Sequence, residues 1–492
     1  MPDPRFCDPA WQSNTCLRLL RRTYLRGSGL VRGVTESLPF APTDQLALRV
    51  LTRATTDAVA PPNFLFTNPT AARRAWSTRG RSLAHGARNF LTDVRDNRGM
   101  PALVDKGAFV VGRDLATTPG RVVFRNHLVE LIQYEPRTET VHALPLLFNL
   151  SWVNKFYLAD LTPDRSLIRW ALDQGHTVFV ISYRNPDATL RNVGYDDYLC
   201  AGLLPVLEVI RDITGAEEVN FCGSCLGGLL GLMLAAWHRD DDRPRLRSVT
   251  ALNTPADFGD ITRLITTGAV GRLLRGPGVR LLDRLTERQG FTGGKDFEAF
   301  FRLLRSNELL WNQVKDNWLM GKEPPAYDVL YWNCDTLNVP HRAQRYLLRD
   351  LCIDNAFARG TAELAGRPLP LDRITQDVFL VGTSDDHLVP WRISHKTVAL
   401  LPGDVRYYLS VGGHIAGLIA PPDTGARYRT TTGRACPDAD TWSAEATEYE
   451  DSWWRPWSRW LAERAGPQRV PPSTGSARYP PMDPAPGTYV LT

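Results

Sequence analysis

Hydrophobic and polar positions divide this 492-residue sequence into a helical first part and a second part in which element types alternate. Up to about residue 110, apolar residues recur at helical spacing, over residues 46–59 and 71–94, and Asn68-Pro69 supplies a cap and a first-turn proline for the second stretch. Helical stretches such as 165–173 and 197–214 then alternate with β-rich runs at residues 122–124, 128–134, 145–148, 177–182, 219–222 and 249–252. This alternation predicts an α/β fold with a mostly parallel sheet and an N-terminal helical region.

Between residue 253 and about residue 375 the pattern changes to helices and loops rich in aromatic side chains. These are Phe297, Phe300, Phe301, Trp311, Trp318, Tyr327, Tyr331 and Trp332. Because β-rich runs resume at Val378, we expect the segment to be an insertion that caps the carboxyl ends of the strands, where open sheets carry their active sites. Ordinary packing would explain most of its aromatic residues. The predicted domains are a helical region at 1–110, an α/β core at 111–253 and 376–466, a helical cap at 254–375 and a proline-rich tail at 467–492.

The clearest chemical signal is the segment Gly223-Ser224-Cys225-Leu226-Gly227. It lies between a β-rich run and an apolar helical stretch, which is the context of a nucleophile elbow, with cysteine in place of the usual serine. Such a turn strains the backbone of the nucleophile, and small neighbours let strand and helix approach each other. The motif predicts Cys225 as the nucleophile of an acyl transfer and the Leu226 backbone N–H as an oxyanion donor. The alternative is a buried structural cysteine in a glycine-rich turn.

An acid and a histidine follow the cysteine in the chain order that an α/β-hydrolase requires. Thr383-Ser384-Asp385-Asp386-His387 follows a β-rich run at 377–381, and His414 follows another run at 405–411 on a glycine turn. Both positions are ends of predicted strands. We therefore expect Asp386 and His414 to complete a triad with Cys225, although a solvated Asp-Asp loop and a structural histidine remain the alternatives.

Cys222 and Cys225 also form a C-x-x-C pair, which can be a redox dithiol or half of a zinc site. A zinc site needs a second ligand pair, and Cys334 and Cys352 lack the spacing to supply it. We expect Cys222 to be a buried strand residue. The sequence shows no cofactor motif, so neither a metal nor a cofactor is predicted.

Charge, hydrophobicity and cysteine content limit the classes of protein to which this chain can belong. The formal charge of +5 comes mainly from arginines spread along the chain, so neither a basic patch nor a nucleic-acid-binding fold is evident. No apolar stretch is long enough to span a bilayer, and the first residues lack a signal-peptide core. Eight scattered cysteines are typical of a reducing compartment. We expect a large enzyme of the cytoplasm.

Nine segments in order resemble the single-subunit polyhydroxyalkanoate synthases, over nearly the whole chain. The segments are Asn63-Phe64-Leu65-Phe66-Thr67-Asn68-Pro69, Thr117-Thr118-Pro119-Gly120-Arg121-Val122-Val123-Phe124, Asn154-Lys155-Phe156-Tyr157, Tyr183-Arg184-Asn185-Pro186-Asp187, Trp311-Asn312, Tyr331-Trp332-Asn333-Cys334-Asp335, Asp386-His387-Leu388-Val389-Pro390-Trp391, Gly413-His414-Ile415-Ala416-Gly417 and Asp451-Ser452-Trp453-Trp454.

The resemblance implies an α/β-hydrolase fold with a cap, with Cys225 as nucleophile, His414 as base and Asp386 as its partner. It implies polymerisation of (R)-3-hydroxyacyl-CoA into polyester with release of CoA, and a location at the surface of polyester granules. It also implies a homodimer, with the cap gating substrate entry. The remaining alternatives are an acyl-CoA thioesterase or other cysteine hydrolase and a non-catalytic granule scaffold, and the length of the monomer side chain stays open.

The sequence departs from this family at two places. The family usually has a further N-terminal segment before the Asp3-Pro4-Arg5-Phe6 stretch, so we expect a shortened N-terminus. Leu150-Ser151 stands where the family has two prolines, in the loop that we expect to supply a second oxyanion amide from residues 149–153. Losing the prolines makes this backbone less preorganised.

Overall fold

A computed structural model describes residues 3–40, 42–239, 244–260, 279–296, 302 and 306–492. The chain divides into two compact units. The first comprises Met1–Ala108, Arg263–Arg280 and Lys295–Cys334, and the second comprises Phe109–Thr262, Leu281–Gly294 and Asp335–Thr492. The first unit thus joins the N-terminal region to part of the expected cap. The domain boundaries drawn from the sequence remain a prediction, and the aromatic residues Phe297, Phe300 and Phe301 lie outside the described residues.

The first unit is helical in its N-terminal part. Its helices there are α1 (Ala10–Ser13), α2 (Thr15–Ser37), α3 (Pro42–Ala58), α4 (Pro69–Ser77) and α5 (Arg81–Asp96). Asn68 caps α4 by accepting the Ala71 N–H, and Pro69 occupies the first turn, as the sequence predicts. The stretch 71–94 is not one helix, however, because Arg79 and Gly80 adopt positive φ angles of 52° and 81° and separate α4 from α5.

The second unit is built on a ten-stranded sheet. Its strands are β1 (Gly120–Arg125), β2 (Val129–Tyr134), β3 (Leu146–Asn149), β4 (Val178–Tyr183), β5 (Glu218–Ser224), β6 (Arg245–Leu252), β7 (Asp377–Thr383), β8 (Val405–Ser410), β9 (Tyr428–Thr430) and β10 (Thr447–Tyr449). Their order is β1-β2-β4-β3-β5-β6-β7-β8-β9-β10. The six strands from β4 to β8 in this order run parallel, and the pairs at both margins are antiparallel. The predicted mostly parallel sheet is confirmed.

Further helices lie between and after these strands in the chain. They are α6 (Leu167–Asp173), α7 (Tyr195–Asp197), α8 (Leu204–Thr214), α9 (Leu226–Trp237), α10 (Val279–Gln289), α11 (Asp328–Cys334, in the first unit), α12 (His341–Tyr346), α13 (Trp391–His395), α14 (Thr397–Leu400), α15 (Ala439–Glu445) and α16 (Trp454–Ala462). Every residue of α9 is buried, which its apolar sequence requires, and the helix packs on β5 and β6. This packing fixes the turn between β5 and α9. Among the described residues, no helix combines the length and the apolar character that crossing a bilayer requires.

The proline-rich tail, residues 467–492, covers the free edge of β1. Met482 and Asp483 exchange backbone hydrogen bonds with Val122 of β1, at 2.7 and 2.9 Å. Glu130, a fully buried carboxylate on β2, accepts the backbone N–H of Thr488 at 3.0 Å. The tail therefore satisfies polar groups of an edge strand that would otherwise be open to foreign strands.

Candidate active site

The turn between β5 and α9 holds Cys225 in a strained conformation, with φ 52° and ψ −121°. Its backbone N–H donates to the Leu252 carbonyl at 2.8 Å, which fastens the turn to β6. A Cβ atom on Gly223 would lie 2.6 Å from the Gly228 Cα, and one on Gly227 would lie 2.6 Å from the Leu150 carbonyl oxygen. Only glycine allows these approaches, so the segment has the geometry of a nucleophile elbow.

The two aspartates of the loop after β7 have different surroundings. Asp385 is exposed, whereas the Asp386 side chain is fully buried. One Asp386 oxygen, Oδ1, accepts the backbone N–H groups of Leu388 and Val389 at 2.8 and 2.9 Å, which leaves Oδ2 for another donor. Asp386 is therefore buried and oriented toward a partner, whereas Asp385 is exposed and accepts a hydrogen bond only from the neighbouring Ser384 hydroxyl among the described contacts.

His414 links this carboxylate to the cysteine. Its Nδ1–H donates to Asp386 Oδ2 at 2.6 Å, and its ring interacts with the Cys225 side chain. Burial alone would lower the pKa of His414, but the hydrogen bonds with Asp386 and Cys225 outweigh it and raise that pKa to about 9. The structure thus brings together the three side chains that the sequence singled out.

Asn253, which sequence reasoning did not assign to the site, supports the histidine turn. It follows β6, is fully buried and has a positive φ of 45°. Its Nδ2 donates to the His414 backbone carbonyl at 2.6 Å and to Thr383 Oγ1 at 3.2 Å. Its place at the end of a central strand is the signal that could have pointed to it.

Two tryptophans of the Asp451-Ser452-Trp453-Trp454 segment hold the chain that follows His414. The indole N–H of Trp453 donates to the Gly417 carbonyl at 3.2 Å, and that of Trp454 donates to the Leu418 carbonyl at 3.0 Å. Both rings are buried. A segment that the sequence offered only as a family signature therefore braces the histidine turn.

The expected oxyanion loop lies directly against the elbow. Leu226 is the first residue of α9, and an N–H at that position has no acceptor within its own helix. The backbone of Asn149 and Leu150, at the start of the loop, lies against the next helix residue, Gly227. Just beyond this loop, Lys155 Nζ lies 2.8 Å from Asp335 Oδ1, and the Tyr157 hydroxyl donates to Asp335 Oδ2 at 2.9 Å. These bonds anchor the chain just after the loop.

Aromatic side chains surround the same loop. Trp152 stacks on Tyr198 with ring centroids 4.7 Å apart and meets Tyr195 edge-on at 4.9 Å. Tyr195 in turn lies 4.7 Å from Tyr346, a residue of α12. Tyr183 packs on Tyr198 and donates its hydroxyl to Asn149 Oδ1 at 2.7 Å. We call Trp152, Tyr183, Tyr195, Tyr198 and Tyr346 the aromatic cluster.

Cys222 lies on β5 and is fully buried, and burial raises the pKa of its thiol far above the usual range. A buried neutral thiol of this kind is chemically inert. No group of three or more His, Cys, Asp or Glu side chains suited to a metal ion occurs within the part of the chain that the structure describes.

Comparisons with known proteins give two family matches and several relatives over nearly the whole chain. The family model described as alpha/beta hydrolase fold matches residues 144–421, and the one described as Poly-beta-hydroxybutyrate polymerase (PhaC) N-terminus matches residues 2–171. The chain is 36% identical to the poly(3-hydroxyalkanoate) polymerase subunit PhaC of Cupriavidus necator, over 99% of this chain and 83% of that protein. This chain belongs to the poly(3-hydroxyalkanoate) polymerase family. A second member, poly(3-hydroxyalkanoate) polymerase 2 of Ectopseudomonas oleovorans, is also 36% identical, over 100% of this chain and 86% of that protein.

The α/β-hydrolase fold expected from the sequence is confirmed by the family match. Among solved structures, the monoacylglycerol lipase of Paleococcus ferrophilus is 12% identical, with a TM-score of 0.35 over 68% of this chain and 99% of the lipase.

Proposed function

We propose that this member of the polymerase family joins (R)-3-hydroxyacyl units from their CoA thioesters into polyester through an acyl group carried on Cys225. The observation that carries the proposal is that His414 is hydrogen-bonded to the buried Asp386 and interacts on its ring with Cys225 at the elbow. Membership of the family supports the substrate class, because the relatives are poly(3-hydroxyalkanoate) polymerases.

In the first half of the reaction, the Cys225 sulfur attacks the thioester carbonyl. His414 is an imidazolium at neutral pH, since its pKa is about 9, and its positive charge favours the thiolate beside it. Asp386 holds the ring and balances its charge. The Leu226 N–H, with one amide from residues 149–153, stabilises the oxyanion until the CoA sulfur leaves with a proton from His414.

In the second half, a 3-hydroxyl group of another hydroxyacyl unit attacks the acyl group on Cys225. His414 accepts the hydroxyl proton, an ester bond forms, and the thiolate of Cys225 is released. A thioester intermediate keeps the acyl group activated for this transfer, whereas a serine would hold it as a less reactive oxoester. Water competes for the same intermediate, so a polymerase must exclude water from the acylated site.

Product analysis tests the proposal against its two alternatives. Wild-type protein and Cys225→Ala are each supplied with (R)-3-hydroxybutyryl-CoA or with longer homologues, and both CoA release and insoluble polyester are measured. We expect CoA and polyester from the wild type, an added acyl mass on the peptide that contains Cys225, and neither product from Cys225→Ala. Free hydroxy acid without polyester would indicate a thioesterase, and no CoA release at all would indicate a scaffold. The preferred homologue gives the monomer length.

Cys222→Ala is the matched control, because it alters the other cysteine of the C-x-x-C pair. We expect it to retain most activity, since Cys222 is buried in β5. Equal loss in both variants, with bound zinc or a dithiol detected, would support the metal or redox alternative instead.

We also propose that the protein forms homodimers and works at the surface of its polyester product. Exposed apolar residues support this, among them Tyr327 near the start of α11, which is 48% exposed. We expect a monomer–dimer equilibrium that substrate shifts toward the dimer, and an activity lag that shortens as protein concentration rises. Analytical ultracentrifugation that shows a fully active strict monomer would exclude the dimer.

A further inference from the structure

The aromatic cluster contains a hydroxyl group that the proposed mechanism does not use. Tyr195 begins α7 and is only 2% exposed. Its ring is held between Trp152, edge-on at 4.9 Å, and Tyr346, at 4.7 Å. Cys225 packs against the same buried cluster of side chains that contains Trp152 and Tyr195, so Tyr195 belongs to the surroundings of the nucleophile.

The Tyr195 hydroxyl is fully buried and has no hydrogen-bond partner among the residues that the structure describes. A buried hydroxyl without a partner costs about 1–3 kcal/mol, so proteins retain few of them without a reason. Tyr183, in the same cluster, shows the ordinary solution, since its hydroxyl donates to Asn149 at 2.7 Å. The Tyr195 hydroxyl therefore has hydrogen-bonding capacity that the described residues do not use.

The surroundings of this hydroxyl indicate which ligand. Its electrostatic neighbours are the side chains of Cys352, Tyr346, Cys225 and Tyr198. Burial raises the pKa values of Cys352, Tyr346 and Tyr198, so these three side chains are uncharged at neutral pH, and a thiol is a weak hydrogen-bonding group. In the proposed mechanism the Cys225 sulfur carries the acyl group. The polar atoms that come close to the Tyr195 hydroxyl during turnover therefore belong to the acyl unit.

We propose that the Tyr195 hydroxyl hydrogen-bonds the oxygen on carbon 3 of the acyl unit held at Cys225, which makes Tyr195 a specificity-determining residue for 3-hydroxyacyl groups. The inference rests on the proposed function. The thioester oxygen already has the backbone N–H donors of the elbow, whereas the oxygen on carbon 3 is the other polar atom of the unit and is close to the sulfur. A buried site that hydrogen-bonds a substrate hydroxyl discriminates strongly against the analogue that lacks it.

The test compares two thioesters that differ only in that oxygen, (R)-3-hydroxybutyryl-CoA and butyryl-CoA. Single-turnover release of CoA reports acylation of Cys225 for both, so no polymer is needed. We expect Tyr195→Phe to slow acylation by the hydroxy substrate about 10- to 100-fold, which corresponds to loss of one buried hydrogen bond, and to change acylation by butyryl-CoA less than about threefold.

Tyr198→Phe is the matched control. Tyr198 is equally buried, contacts the same Trp152 and also has a hydroxyl without a partner in the described part of the chain. Its electrostatic neighbours, however, are Tyr183 and Asp197 rather than Cys225. We expect Tyr198→Phe to leave the preference for the hydroxy substrate unchanged.

Each outcome decides the inference. If Tyr195→Phe slows acylation by both substrates equally, the hydroxyl binds the thioester oxygen or serves packing, and the assignment is wrong. The assignment is also wrong if Tyr195→Phe leaves the preference for (R)-3-hydroxybutyryl-CoA over butyryl-CoA unchanged. The same holds if Tyr198→Phe reduces that preference as much as Tyr195→Phe does. Acylation by butyryl-CoA shows in the same experiment that the variant is folded. A wild type that is acylated but makes no polyester would contradict the proposed function, and the preference measured on acylation would still test Tyr195.

Discussion

The two sides of the candidate active site are built differently. On the proton-transfer side, Asp386 and His414 are held by backbone N–H groups, by the Asn253 amide and by two indole N–H groups. On the acyl side, Trp152, Tyr195 and their neighbours hold one another by ring packing, and some buried hydroxyls have no partner in the described part of the chain. Hydrogen-bond networks fix the positions of the side chains that they join, whereas packed rings leave their hydroxyl groups free to bind a substrate. We infer that the side chains that act on every substrate are rigidly positioned on the proton-transfer side, and that the acyl side selects among substrates.

The largest effect is expected on the proton-transfer side from His414→Gln. The change removes both the proton acceptor and the positive charge beside Cys225, so single-turnover release of CoA should fall by at least about a thousandfold. His387→Gln, which changes an exposed histidine beside Asp386, should stay within about twofold. Appreciable activity in His414→Gln would contradict the assignment of the base.

Asp386→Asn and Asp385→Asn should separate the two adjacent aspartates. Asp386→Asn keeps the shape but loses the charge that holds the His414 ring, so we expect turnover to fall about 100-fold or more. Asp385 is exposed, and its substitution should cost less than about twofold. Comparable losses in the two variants, measured as kcat for CoA release, would mean that the loop as a whole matters rather than Asp386.

The variant Asn253→Gly tests whether the hydrogen bonds from the Asn253 amide to the histidine turn affect catalysis. Glycine tolerates the positive φ of 45°, so this variant removes the amide without adding backbone strain. We expect kcat to fall about tenfold with little change in KM, together with a loss of about 1–2 kcal/mol in the free energy of unfolding.

Asn253→Ala is the companion variant, because it removes the same amide and adds the strain of a positive φ. It should lose about 1 kcal/mol more stability than Asn253→Gly, with no further loss in kcat. If kcat falls further in Asn253→Ala than in Asn253→Gly, in step with the further loss of stability, the turn affects catalysis through folding alone.

The pH dependence of stability should report the environment of His414. Its pKa in the folded protein, about 9, lies above the ordinary value of 6.5, so the protonated ring stabilises the fold. This contribution is fully present below pH 6.5 and is lost as the pH rises through 9, with a total of about 3 kcal/mol. Urea denaturation of the wild type and of His414→Gln should show a stability difference that declines from pH 6.5 to pH 9.5. A difference that grows over this range would contradict the ion pair.

The smallest effect is expected on the acyl side from Lys155→Met. Methionine retains most of the buried stem of Lys155 and removes its ion pair with Asp335, which Tyr157 still contacts. The loop at 150–153 should then be slightly less well positioned, and acylation should slow about two- to threefold. Acylation slowed by more than tenfold would show that the acyl side depends on polar anchors as heavily as the proton-transfer side.

The sequence predicted those parts of the molecule that depend on local order. Each β-rich run corresponds to a strand of the sheet, because buried parallel strands are short apolar runs with defined ends. Cys225, Asp386 and His414 could be chosen because each follows such a run. Asn253 could not be assigned a role, since its partners, the His414 carbonyl and Thr383, are more than 100 residues away along the chain. The break between α4 and α5 was missed because apolar spacing continues across Gly80 while the backbone turns.

The remaining features that the sequence did not predict depend on close contacts at glycines and on contacts between segments that are far apart in the chain. The close approach of Gly227 to residue 150 and the hydroxyl left unpartnered on Tyr195 both depend on which elements become neighbours in space. The grouping of residues 295–334 with the N-terminal helices is of the same kind, because it joins segments that are far apart in the chain.

The tail over β1 has a consequence for the order of events during synthesis. A ribosome makes β1 early, and Arg125 at its end must wait 358 residues for its partner Asp483. Until that segment has emerged, the edge of β1 is exposed to strands of neighbouring nascent chains on the same messenger RNA. Completion of this sheet edge therefore waits for the synthesis of residues 482 and 483, and a chain that stalls before them would carry the open edge with it.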